Sequence, residues 1–138
     1  MKKIIVIIVF VGIFVSCSKE NRYERRLIGT WNIVHIDFTS ATDTSKSFVA
    51  ENAGGVQFLP DGTGKNDYSY KNNAVTYVVK DPFTWSNENN DKVLITSFNG
   101  LGYTTNEWNV EENSRNNQTL RNVASDGDVT IWKLERFK

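Results

Sequence analysis

Few residues in this 138-residue chain could do covalent or proton-transfer chemistry. There is one Cys, Cys17, and one His, His35. A single thiol excludes an internal disulfide and a thiolate metal cluster. A single imidazole excludes a paired-His metal site and gives little from which to build a Ser–His–Asp set. His35 alternates with apolar residues in Ile33-Val34-His35-Ile36, which suits a strand wall or rim better than a general base. Glu107, Glu111 and Glu112 cluster in one segment, and strict alternation would put Glu107 and Glu111 on one face and Glu112 on the other. Paired carboxylates serve glycoside hydrolysis only across a cleft, and a solvated strand face accounts for these three. Asp61-Gly62-Thr63-Gly64 lacks the Lys-Ser/Thr of a phosphate loop. The Asx-rich stretches 87–91 and 126–128 match no EF-hand loop and read as turns. The expectation is therefore no catalytic residue, no cofactor, no metal and no enzymatic activity.

Lys plus Arg and Asp plus Glu balance at 16 each, which gives no electrostatic footprint for nucleic acid. The apolar residues are unevenly spread. Twelve of the first sixteen are apolar, whereas 15 of the 17 aromatic residues come later. The opening has its own anatomy: Lys2 and Lys3, an apolar run over residues 4–15 broken only by Gly12, then Ser16 and Cys17. This is the layout of a secretory signal peptide. A membrane-spanning helix needs about 20 apolar residues, more than the run supplies.

Phe14-Val15-Ser16-Cys17 resembles the lipobox of bacterial lipoproteins. That resemblance implies cleavage before Cys17 and acylation, including palmitate, of its sulfur and new amino group. Two or three acyl chains would anchor the protein stably. Ser18-Lys19-Glu20 is similar to the charged tether of surface-exported lipoproteins of the Bacteroidetes type. Ser18, in place of Asp, argues against inner-membrane retention. The implied location is the outer membrane, with periplasmic and surface-exposed faces both open. The expected organisation is a signal peptide over 1–16, a tether and lead-in over 17–28, and one domain over 29–138. Residues 20–28 suit a short helical turn, and Arg22, Arg25 and Arg26 read there as a solvated linker.

From Gly29 the apolar period is two, which predicts strands. Trp31 and Ile33 share one face and Ile36 and Phe38 the other, so a bulge is expected near Ile33 and Val34. Further strands are expected over 56–59, 65–71, 74–80, 83–85, 93–98, 103–112, 118–124 and 129–137, joined by Gly-, Asn- and Asp-rich turns. Consecutive strands with short links favour a meander. Closing it removes the exposed edges. The expected fold is all-β, an eight-stranded up-and-down antiparallel barrel after the signal peptide, with an open β-sandwich as the alternative.

Gly29-Thr30-Trp31 resembles the Gly-x-Trp signature of lipocalins, and Arg136 stands where that family places an Arg across the Trp ring. The 58–63 hairpin and the Ile131-Trp132-Lys133-Leu134 strand are similar to the lipocalin-like domain of Bacteroidetes-type lipoproteins. The resemblance spans residues 27–137 and implies a lipocalin-like barrel closed at one end by Gly29, Trp31 and Arg136. The chain lacks the Cys pair and C-terminal helix of full-length lipocalins. Two functions follow. One is a barrel holding a small apolar molecule, lined by Phe58, Tyr68, Tyr77, Trp85, Phe98, Trp108 and Trp132. The other is an envelope interaction module with a filled barrel. With so many large rings directed inward, any cavity is expected near the low end of about 300–1,000 Å³, opening away from Trp31.

Overall fold

The computed structural model describes residues 19–89 and 91–138. The expected signal peptide over 1–16 and the lipidation site Cys17 lie outside the described residues. The described chain opens with helix α1 (Lys19–Leu27). Nine strands follow: β1 (Gly29–Thr39), β2 (Phe48–Phe58), β3 (Thr63–Asn72), β4 (Val75–Val79), β5 (Pro82–Glu88), β6 (Lys92–Phe98), β7 (Tyr103–Asn113), β8 (Asn117–Val123) and β9 (Val129–Arg136). Every pairing is antiparallel, and β9 returns to pair with β1, so the sheet closes on itself.

Nine strands make an eight-stranded barrel because β4 and β5 are two halves of one strand. Both pair with β3 in a single register, Tyr68 opposite Val79 and Lys65 opposite Pro82. The break falls at Lys80-Asp81, just before a Pro that has no N–H to give the ladder. Asn66 N–H still reaches Asp81 O across it, at 2.9 Å. The open-sandwich alternative is thereby set aside.

Register decides which residues face inward. The β1–β9 pairing shifts between Ile33 and His35, leaving one extra residue on β1. The bulge carries Trp31, Ile33 and Ile36, which strict alternation would split, onto one buried face. His35 turns outward and meets Glu51, Nδ1 to Oε1 at 2.6 Å. A second bulge shifts the β7–β8 register between Val110 and Glu112. It corrects the expected faces of the acidic cluster. Glu112 pairs with Thr119 on the outside, the same face from which Glu107 meets Lys92. β2 also begins earlier than residue 56. Its first half was hidden by Glu51, Asn52, Gly54 and Gly55, where φ reaches +50° at Asn52 and +133° at Gly54.

Chain order fixes two ends. Loops 59–62 and 114–116, with residues 89 and 91, lie at the end that α1 covers. Loops 40–47, 73–74, 99–102 and 124–128 lie at the other. At the α1 end the core is dry. Tyr23 and Leu27 of the helix pack with Trp31, Ile33, Val56, Phe58, Phe83 and Leu134, all buried. Burial pushes the Tyr23 phenol well above its ordinary value.

A helix leaves its last carbonyls without partners, and here the barrel supplies them. The Trp31 indole N–H donates to Leu27 O at 2.7 Å. Arg136 donates from Nη2 to Arg26 O at 2.6 Å, from Nη1 to Ile28 O at 3.2 Å and from Nε to Arg115 O at 2.8 Å. Its guanidinium carbon lies 4.2 Å from the Trp31 ring centroid, within cation–π range. The positive charge also sits at the negative end of the helix. Gly29 permits this approach. Its φ is +137°, and a Cβ there would stand 2.5 Å from Arg136 Nη1.

Candidate functional site

Above the dry core the barrel widens into an open cavity of about 770 Å³. Its floor is made by Ile36, Tyr68, Trp108 and Trp132. The Trp108 and Trp132 centroids are 4.6 Å apart, and Tyr68 meets Trp132 edge-on at 5.5 Å. Burial, with Tyr70 and Asp81 adding to it, pushes the Tyr68 phenol far above its ordinary value, so it stays neutral. One inward step below Tyr68, the buried Asn66 leaves Oδ1 without a hydrogen bond.

One wall is a ladder of rings carried on four successive strands. Phe38 stacks on Phe48 at 5.4 Å. Phe48 stacks on Tyr70 at 4.6 Å with planes 1° apart, and Tyr70 on Tyr77 at 5.2 Å. The ladder spans a stretch where backbone pairing is missing, since β2 and β3 pair only over 54–58 and 64–68. Ring stacking between Phe48 and Tyr70 takes the place of hydrogen bonds there. Burial also raises the Tyr70 phenol, with Tyr77 as a lesser cause.

The facing wall is polar. Asn106 of β7, Asn122 of β8 and Thr130 of β9 line it. The mouth is bordered by the 40–47 loop, which brings Asp43, Ser45 and Lys46, and by Asn72 and Asn73. Asp43 caps the 3-10 turn Thr44–Lys46, and its hydrogen bonds from the Ser45 side chain and backbone hold its carboxyl below the usual range. Ser40 Oγ and Ala41 N both donate to Asp128 Oδ1, tying this loop to the 124–128 loop. Among the described residues, no strand contributes a charged residue to the lining.

Four of the seven rings expected to line a cavity do so: Tyr68, Tyr77, Trp108 and Trp132. Tyr77 sits at the rim, 44% exposed. Phe58 and Trp85 fall instead in the dry closed-end core, their rings edge-to-face at 5.5 Å. Trp85 Nε1 is spent on Leu59 O and Thr63 O, which pins the 59–62 turn. Phe98 is on the outside, 54% exposed against Tyr103. β6 buries Val93 and Ile95, so period two turns Phe98 away from the lumen.

Phe38, Phe48, Tyr70, Asn106, Asn122 and Thr130 were not among the expected lining residues. The signal was present in β7 and β9, where Asn106 stands two residues from Trp108 and Thr130 two from Trp132. The cavity is also larger than expected. Its rings stack on one another along one wall, and small polar residues face them.

No protein-family model matches the chain, and no curated protein matches it. Among solved structures it is similar to a redesigned β-barrel, with TM-score 0.51, 19% identity, and 85% of this chain and 96% of that one covered. It is also similar to a deswapped triple mutant of bovine odorant binding protein, with TM-score 0.47, 16% identity, and 81% and 74% covered. The bovine protein in complex with a selenium-containing odorant gives TM-score 0.49, 16% identity, and 83% and 73% covered. The first similarity is one of fold.

Proposed function

We propose that this chain is a lipid-anchored, lipocalin-like protein of the cell envelope whose barrel holds a small, weakly polar molecule. The observation that carries the binding role is the cavity itself: about 770 Å³, aromatic on its floor and one wall, and open at one end. Ligand sites fall in this size range and combine apolar walls with a few polar groups. A filled barrel acting only through its outer surface would have no such space. The neutral lining favours an uncharged ligand. The test is a titration with the fluorescent hydrophobe N-phenyl-1-naphthylamine. Saturable binding near the μM range, about −8 kcal/mol, is expected. A linear response up to about 100 μM would overturn the reading.

The anchoring role rests on the sequence before α1. If Cys17 carries lipid, the chain leaves the membrane toward the α1-covered end, and the cavity opens on the far side. The ligand would then be taken from the aqueous face. Intact-mass analysis of protein from its own host should show acyl mass on the wild type. Cys17→Ser should lack it and keep its first sixteen residues. A wild type without acyl mass would remove the anchor and leave the cavity argument untouched.

A further inference from the structure

Resting on the binding role proposed above, we infer that the cavity selects a neutral, planar ring system carrying an adjacent donor and acceptor on one edge, as in a lactam or aromatic carboxamide, over a hydrocarbon or a fatty acid. The two facing walls carry the argument.

The ring ladder runs across β1, β2, β3 and β4, so Phe38, Phe48, Tyr70 and Tyr77 turn their faces to one another and their edges to the lumen. Ring edges carry the positive side of the aromatic quadrupole and attract the face of another π-system. A flat ring laid against this wall therefore makes edge-to-face contacts along its length. Aliphatic chains gain no such directional contact.

The polar wall is compact. Asn122 is the direct cross-strand partner of both Trp108 and Thr130, and Asn106 is the next inward residue above Trp108. Direct partners lie about 5 Å apart and diagonal ones about 7–8 Å, so Asn122 neighbours both of the others, and the edge of one small ring system reaches Asn122 together with either of them. One of the two Asn122 Nδ2 hydrogens goes to Glu107 O at 2.8 Å, which orients the amide and leaves its second N–H and its oxygen for a ligand. Among the described residues, no other group hydrogen-bonds the side chains of Asn106 and Thr130. An amide offers a donor and an acceptor side by side, and the complementary edge is another donor–acceptor pair.

A hydrocarbon filling the lumen would strip water from all three groups and return nothing, a loss that a matched edge avoids. A carboxylate finds no cation on the walls among the described residues. Lys46 is at the mouth, largely exposed, with Asp43 3.8 Å from it.

The experiment compares three bicyclic competitors of similar size, 2-quinolone, naphthalene and 2-naphthoate, for displacement of N-phenyl-1-naphthylamine from the folded domain. The expected order places 2-quinolone about tenfold or more ahead, roughly the worth of one good hydrogen bond. Thr130→Val is nearly isosteric and breaks no hydrogen bond, so it tests the wall without endangering the fold. Asn106→Leu does the same with a larger apolar gain. Each should weaken 2-quinolone several-fold while leaving naphthalene unchanged or tighter. Equal displacement by naphthalene, or no change of the ratio in both variants, would overturn the inference and leave the binding role standing. Failure of the fluorescent hydrophobe to bind at all would overturn both.

Discussion

Trp31→Ala should destabilise the protein by about 3–5 kcal/mol, the upper range for large-to-small core changes. Trp31 is 0% exposed and lies on the closed side of the barrel, away from the cavity. The substitution also frees the Leu27 carbonyl at the end of α1 and removes the ring beneath Arg136. For a domain of this size it should lower the melting temperature by about 10–25 °C. Arg136→Ala should cost about 2–3 kcal/mol, because three backbone carbonyls lose a charged donor and the Trp31 ring loses the group packed on it. The two losses should not add. Residues in contact couple by about 0.5–3 kcal/mol, and urea melts of the two single variants and the double variant measure that coupling. A value within about 0.3 kcal/mol of zero would show that the stacking contributes nothing.

The barrel was legible in the sequence because period two is a local property. Each strand shows which residues alternate, and short Gly-, Asn- and Asp-rich turns show that consecutive strands pair. Trp31 and Arg136 were legible as a pair because the ends of a closed meander must meet, and Trp31 pairs directly with Arg136. Phase was harder to read. A bulge changes which face a residue takes, and only the partner strand shows where it falls. The β7 bulge reversed the face of Glu112 without any mark in its own segment. Depth was harder still. Phe58, Trp85 and Trp132 all face inward, yet two fill the dry end and one borders the cavity. That difference comes from stagger between strands far apart in the chain. The polar wall was missed for another reason. Asn106, Asn122 and Thr130 are ordinary strand residues one at a time, and they become a surface only when β7, β8 and β9 lie side by side.

Trp108→Ala should have the opposite profile from Trp31→Ala, with a smaller loss of stability and a larger change in binding. Trp108 is buried against Trp132, but its other side borders the open cavity. Water already reaches that space, so removing the indole extends a wet volume and creates no dry void. The cost should fall to about 2–3 kcal/mol, below the usual range for Trp. The floor, however, loses one of its two tilted indoles, and the polar edge of Asn122 loses its direct cross-strand neighbour. A small flat ligand then loses the aromatic surface that holds its lower side. Affinity for a bicyclic probe should fall about tenfold to a hundredfold, or roughly 1.4–2.8 kcal/mol, and a ligand longer by one ring should lose less. Titrations of the wild type and the Trp108→Ala variant, with melting curves on the same samples, separate the two effects. A variant that melts normally and binds the bicyclic probe as tightly as the wild type would show that the ligand does not sit on the Trp108–Trp132 floor.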